Sequence, residues 1–477
     1  MNTRQPISHT AKPTSPKLLC VSFNQDQDCF AIGHENGFRV YSSDPMVERV
    51  KRTFNKSSSS SRSGIGHISM LHRTNFLSLV GGGKNPKFPI NKVIIYDDLK
   101  KKNTLSLEFM SPVLNVFLSR IRIISVVETH VYVYAFSSPP KLIATYETIR
   151  NPYGVSDLSN SLSINNDTSP TAPSSSSSLS SSSSLLLSSS SSSPASQSSV
   201  NEILAFPGRQ PGQLQIVDIS PQHQHRNLIS IFKAHRSPIR CISLNRQATM
   251  VASASETGTI IRVHSISNCS LLYEFRRGLD KAIVYAMKFS PDGTKLAVIS
   301  DKQTLHVFRL DRHMSSKATG GSASRDSTPS PSTTDSSALS SGNPGAVGAT
   351  NQDSLNRQHF LRSLPIFTSY FQSQWSFVSL HLSPNPSLTT ASSSSTVNSS
   401  SKATGIGNSH TAEKFNESIN SNSQINDRAA LGWSSDDSII LVWKFRGKWE
   451  KYVIVKNEST NEWGLEREGW RSFGEFQ

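Results

Sequence analysis

One recurring unit runs through this chain, and its period limits the folds open to it. A short apolar stretch is followed by a turn bearing Gly, Asp or Asn, and then by an alternating strand rich in β-branched and aromatic residues. The unit appears at His34-Glu35-Asn36-Gly37 before Phe38–Tyr41, at Gly212 before Gln213–Asp218, and at Glu256–Thr259 before Ile260–His264. It returns at Asp301–Gln303 before Thr304–Phe308 and at Ser435–Ser438 before Ile439–Trp443. With Asn91–Asp98 and Thr129–Phe136 there are about seven units, roughly 40 to 45 residues apart once insertions are set aside, the period of a WD40-like blade. Short alternating strands separated by turns also suit a sandwich or a barrel. Seven near-equal repeats favour an all-β, seven-bladed β-propeller, whose closed ring leaves only short edges. Few units carry Gly-His or Trp-Asp, so the period carries the assignment.

Three tracts break the rhythm: Ser156 to Val200, Arg312 to Ser354 and Ser383 to Asn426. They explain why the hydrophobic content is only 35%. Ser/Thr/Asn/Gly-rich sequence buries too little apolar surface to offset its ordering entropy, so these tracts are expected to be disordered. They are read as loop extensions inside the fourth, sixth and seventh units, which loop-closure entropy tolerates because it grows only logarithmically with length. The expected organisation is a flexible segment over 1–17, a propeller over 18–450 interrupted by loops 156–200, 312–354 and 383–426, and a tail over 451–477 of undetermined structure.

Forty-nine Lys and Arg against 34 Asp and Glu give a net charge of +15, which points to a polyanionic partner, nucleic acid or anionic membrane. Charge alone does not choose between them. No aromatic stacking platform of a recognised RNA-binding kind is present, so nucleic acid ranks last. Cys20, Cys29, Cys241 and Cys269 are scattered, with neither C-x-x-C nor the His spacing of a zinc site, and read as thiols in a reducing compartment. The first 17 residues hold no apolar run of signal-peptide type, and no stretch reaches bilayer-spanning length. Matches to Asn-x-Ser/Thr such as Asn166-Asp167-Thr168 are then chance in a serine-rich cytosolic protein.

Catalytic constellations do not assemble. Gly81-Gly82-Gly83-Lys84 lacks phosphate-loop spacing and reads as a turn. Asp97-Asp98 suits a turn at a strand end. No nucleophile, base and orienter can be tied together, so no enzyme, cofactor or metal is expected. Phe275-Arg276-Arg277-Gly278 differs, because it lies between two complete units. Adjacent side chains of an extended strand point to opposite faces, so the two arginines serve two pockets. Each carries a planar fork that matches phosphate oxygens. Hydroxyls and imidazoles flank them: His235, Ser253, Ser255, Thr259 and Arg262 on one side, Ser300, Thr304 and His306 on the other. Such residues suit a phosphorylated sugar headgroup, and equally suit ordinary blade-turn hydrogen bonds.

Phe275–Gly278, between a Ser-x-Ser-Glu-x-Gly-Thr-x-Ile-Arg segment and a Thr-x-His-x-Phe strand, resembles the PROPPIN family of seven-bladed phosphoinositide-binding propellers. Gly82–Lys87, Asn91–Lys100, Leu204–Gly208 and Gln374–Phe377 are similar too, and place the chain nearer the smaller WIPI-type branch. The resemblance covers all seven units apart from the insertions, with the last matching loosely from Trp433 onward. It implies one headgroup site with His235, Ser253, Ser255, Thr259, Arg262 and Arg276, and a second with Arg277, Ser300, Thr304 and His306. The implied ligands are phosphatidylinositol 3-phosphate and phosphatidylinositol 3,5-bisphosphate, with Asp280 a departure that weakens the second site if its carboxylate faces inward. The resemblance implies a membrane-inserting loop within Leu310 to Ser373, where Phe360, Leu361 and Leu364 belong to an apolar cluster flanked by cations. Phosphorylation of Ser327, Thr328 or Ser330 in that loop would add charge that anionic membranes repel. It implies further a monomer acting in autophagosome formation, peripheral on pre-autophagosomal, endosomal or vacuolar membranes, which recruits a bridge-like lipid-transfer protein through Asn24 and Asp26. A general WD-repeat scaffold without lipid binding is the alternative.

Overall fold

The computed structural model describes residues 18–54, 62–162, 200–223, 228–310, 356, 373–382 and 427–473. Within them, seven antiparallel sheets follow one another along the chain, over 18–53, 65–108, 115–147, 157–233, 239–276, 284–381 and 429–472. Each is a blade of four strands in meander order. Blade five takes a further pair of residues, Gln374–Trp375, in parallel against its outer strand Leu271–Arg276.

The innermost strands line one cavity, with Val21, Ser69, Val116, Leu158, Ile242, Met287 and Leu431 each coming from a different blade. A ring around a central channel is the arrangement that brings all seven there. Seven apolar cores lie between neighbouring blades. The last joins Phe30 and Ile32 of blade one to Ile440 and Val442 of blade seven. Each fully buried Phe or Ile contributes about 1.5–3 kcal/mol, so the stability of the ring resides between blades. Among the described residues no strand is exchanged at the closure. Side chains make it: Phe473 packs 5.4 Å from Tyr41, Trp433 N donates to Gln27 Oε1 at 3.0 Å, and Arg471 Nη1 donates to the Met46 carbonyl at 3.0 Å.

Six of the repeat-defining segments form the third strand of their blade, as in Gly37–Ser42 and Thr304–Arg309. The seventh does not. Ser438–Trp443 is the second strand of blade seven, and Lys448–Lys456 with Trp463–Ser472 supply the outer two. The propeller therefore runs past residue 450, where the sequence places its end. Trp449, Tyr452, Ile454 and Leu465 give these strands a buried face, while a register shift between Lys451 and Tyr452 breaks the alternation that would mark it.

The insertions also fall differently. Asp157–Leu162 is a strand paired with Val200–Pro207, so the interruption of blade four starts after it and not at 156. The 383–426 tract follows the outer strand of blade six and precedes the first of blade seven, so it joins two blades and does not interrupt one. Among the described residues no helix is long and apolar enough to cross a membrane, and no group of His, Cys, Asp or Glu is placed to hold a metal ion. Gly83 turns at a φ of +77° and the Lys84 N–H donates to Glu35 Oε2 at 3.0 Å, which makes the glycine cluster a turn. Asp97 caps its own turn by accepting from the Leu99 and Lys100 N–H groups.

Candidate functional site

Blade five positions the arginine pair. Across its strands Ser253 stands opposite Arg262, and Arg262 opposite Glu274. Directly opposed residues share a face, so these three form a row, and Arg276, two residues past Glu274, joins it. Phe275 points the other way, into the core with blade six, where its ring stacks on Phe308 at 4.7 Å. Arg277 follows on that side. The two guanidinium groups thus leave the strand end toward different blades, and both residues are largely enclosed, at 7% and 6% exposure.

The first pocket lies between blades four and five. Arg262 Nη1 donates to the Ala234 carbonyl at 2.7 Å, and His235 Nε2 lies 3.0 Å from Ser253 Oγ. Gly212 sets this approach: its carbonyl accepts the N–H groups of Ala234 and His235, its φ is +72°, and an added Cβ would sit 1.9 Å from the His235 carbonyl. Burial, then the charge of Arg262, hold His235 down at about 4, so its imidazole is neutral and the arginines supply the positive charge. Ser255 Oγ lies 2.9 Å from Thr257 Oγ1, and Thr259 contributes its carbonyl to the Arg277 N–H at 2.9 Å.

The second pocket lies between blades five and six. Val298 and Phe308 pack in the core with Phe275, which puts Ser300, Thr304 and His306 on the same blade-five-facing side. Burial, then Arg277, hold His306 down at about 4, and its Nδ1 lies 3.1 Å from Ser376 Oγ. Thr304 Oγ1 lies 3.4 Å from His381 Nδ1. Arg277 is anchored by main-chain acceptors: Nε donates to the Gly258 carbonyl at 2.8 Å and Nη2 to the Asp280 carbonyl. Gly258 has a φ of +61°, and a Cβ there would lie 1.8 Å from the Ala282 carbonyl, so only glycine turns this carbonyl toward Arg277. Burial lowers the Arg277 pKa, opposed by Asp301 and Asp280.

Asp280, singled out in the sequence for its carboxylate, meets Arg277 through its main chain and is exposed. The acid within the first pocket is Glu274, which sequence reading passed over although the two-residue strand period places it on the face of Arg276. Asn24 is 4% exposed, with Nδ2 donating to Asp28 Oδ1 at 2.5 Å and Oδ1 accepting the Cys29 N–H. It builds the blade turn and presents little surface. Asp26 is exposed, 3.3 Å from His72 Nδ1 and 3.1 Å from Arg246 Nη2. Phe360, Leu361, Leu364, Ser327, Thr328 and Ser330 lie outside the described residues.

Fold and site together define a seven-bladed propeller with two clusters of arginine and imidazole side chains, one on either side of blade five. The PROPPIN family model matches residues 192–327. SVP1-like protein 2 of Debaryomyces hansenii is 46% identical over 495 residues, covering 99% of both chains. The chain belongs to the PROPPIN family. Kluyveromyces lactis Hsv2 shares the fold, with a TM-score of 0.60 at 21% identity over 96% of this chain and 99% of that one. A structure described as a complex of KlAtg21 with the coiled-coil of AgAtg16 also matches, with a TM-score of 0.54 at 18% identity over 96% and 99%.

Proposed function

We propose that this propeller is a scaffold recruited to membranes in autophagosome formation, binding phosphatidylinositol 3-phosphate and phosphatidylinositol 3,5-bisphosphate through the two pockets around Phe275–Gly278. The observation that carries this reading is the divergence of Arg276 and Arg277 from one strand end into separate pockets, each lined by neutral hydroxyl and imidazole groups. A phosphate monoester on an inositol ring offers charge for the guanidinium fork and hydroxyls for the neutral groups. Two sites flanking one rigid blade engage one membrane together, so the second binding event is intramolecular and raises avidity. The +15 charge favours approach to an anionic surface.

Protein partners belong to the same reading. The related structure of KlAtg21 with the coiled-coil of AgAtg16 supports a propeller that carries a protein to the membrane. A bridge-like lipid-transfer protein engaging the first-blade turn at Asp26 is the partner proposed for this chain. Flotation with liposomes containing or lacking each phosphoinositide tests the lipid reading. Wild type should float only with the phosphoinositides, and the Arg276→Gln/Arg277→Gln protein should stay at the bottom. Recruitment that ignores both headgroup and mutation would leave the general WD-repeat scaffold as the better reading.

A further inference from the structure

The central channel encloses a cavity of about 430 Å³, within the roughly 300–1,000 Å³ of small-molecule sites. Two of the cations on its wall are matched by acids: Lys288 Nζ lies 3.0 Å from Asp157 Oδ1, and Arg246 Nη2 lies 3.1 Å from Asp26 Oδ1. Arg240 is not matched. It is 7% exposed and lines the same cavity, with its guanidinium 3.7 Å from the centroid of the Tyr153 ring. Among the described residues it makes no hydrogen bond and no ion pair.

Backbone register puts it there. The inner strand of blade five shifts register between Ile239 and Cys241, which leaves Arg240 as the unpaired extra residue on the channel side. Blade six does the same between Val284 and Ala286, where Tyr285 lines the channel while its ring packs on the core between blades six and seven and its hydroxyl is buried beside the Ala429 backbone. Burial, then the like charge of Arg428, lower the Arg240 pKa, and exposed Glu256 opposes them only weakly. A guanidinium keeps its proton, and no Arg240 nitrogen is sealed from solvent, so its N–H edge is open to an anion in the channel.

We propose that the channel is a further, lipid-independent anion site, in which Arg240 grips a phosphate-type oxyanion. Tyr153 covers a face of the guanidinium and leaves its N–H edge for bidentate pairing with two phosphate oxygens. The planar fork of Arg240 pairs with two oxygens of a phosphate. The source is inorganic phosphate or a small soluble phosphate ester. Arg240 lies on the innermost strand of the blade whose outermost strand carries Arg276, three strand spacings or about 14 Å away, so the two sites are separate.

The test uses the full chain carrying Arg276→Gln and Arg277→Gln, so that phosphate held at the junction does not contribute. Thermal unfolding is followed against inorganic phosphate, against O-phosphoserine, and against chloride at matched ionic strength. A saturable rise in Tm with phosphate and none with chloride is expected, since a ligand of the folded state stabilises it by mass action. Adding Arg240→Gln should weaken binding at least tenfold. Equal shifts from both phosphates identify the free ion as sufficient, and a shift from O-phosphoserine alone identifies an ester; either supports the site. Without ligand, Arg240→Gln should unfold at the same or a higher temperature, because the guanidinium makes no hydrogen bond or ion pair that the change would lose. Absence of a saturable shift, or one that survives Arg240→Gln, overturns the proposal. So does a lowered ligand-free Tm with phosphate binding intact, which would make Arg240 a stacking partner for Tyr153 and nothing more.

Discussion

Arg262 is held by Glu274: its Nε and Nη2 both stand 2.9 Å from the same oxygen, Oε2. The other oxygen accepts from Ser373 Oγ at 2.8 Å. Burial raises the Glu274 carboxyl, but the Ser373 and Arg262 hydrogen bonds and the charges of Arg262 and Arg276 outweigh it, so the group stays ionised below its ordinary range. The first pocket thus contains its own anion, and a phosphate that enters it competes with Glu274 for Arg262.

Glu274→Gln should therefore tighten headgroup binding. The amide keeps a hydrogen-bond acceptor for Arg262 and removes the repulsion. Both side chains are about 30% exposed, which screens the charge, so the expected gain is about 0.5–1 kcal/mol, or roughly two- to fivefold in affinity. Titration of phosphatidylinositol 3-phosphate liposomes against wild type and variant reads it directly. Unchanged or weaker binding by the variant would show that Glu274 chiefly orients Arg262.

The two arginines differ in what else they do. Arg277 satisfies the enclosed Gly258 carbonyl and the Asp280 carbonyl, so Arg277→Ala should cost about 1–2 kcal/mol of folding stability in addition to the proposed lipid site. Each single variant should bind liposomes about tenfold or more weakly than wild type, because loss of one site removes avidity. Urea unfolding separates the two effects of Arg277. A stability identical to wild type would mean that water replaces those hydrogen bonds without loss.

How much of this was legible beforehand follows from periodicity. The third strands, the seven-fold ring and the opposite faces of Arg276 and Arg277 all come from a two-residue or a blade-length repeat, and those are visible in a string of letters. Blade seven was not, because its defining Ser438–Trp443 segment resembles the third strands and lies second in its sheet. The neighbours decide that placement, and they come from distant sequence. Glu274 was accessible from strand period alone. Arg240 was not, since its exit into the channel depends on a bulge, and a bulge is set by cross-strand pairing.

Acid should destabilise the propeller through its buried imidazoles. His306 is held at about 4 in the folded state, against about 6.5 for an exposed imidazole. Its folded pKa is depressed, so between those values the unfolded chain binds more protons, and stability is lost as pH falls through the window. Its contribution is complete above pH 6.5. At pH 5 about 1–2 kcal/mol of it should be gone, and His306→Gln should reduce the wild-type difference between pH 7 and pH 5 by that amount. Urea melts of both proteins at the two values measure it. An unaltered difference in the variant would place the acid sensitivity at other groups.

Closure of the ring rests on the last described residue. Phe473 is 4% exposed and stands 6.1 Å from Phe30 and 5.4 Å from Tyr41, so a residue beyond the final strand of blade seven fills the core of blade one. Its N–H donates to the Gly447 carbonyl at 2.7 Å, which fixes its backbone. Phe473→Ala should cost about 3–5 kcal/mol, as for other buried Phe truncations, and the loss should appear at the junction of blades one and seven first. Hydrogen exchange is the suitable readout. Amides of Cys29–His34 and of Ser438–Trp443 should exchange faster than in wild type, while those of Val284–Phe289, on the inner strand of blade six, keep their protection. Uniform acceleration around the ring would instead mean that the propeller opens as one cooperative unit, with no weak seam where its ends meet.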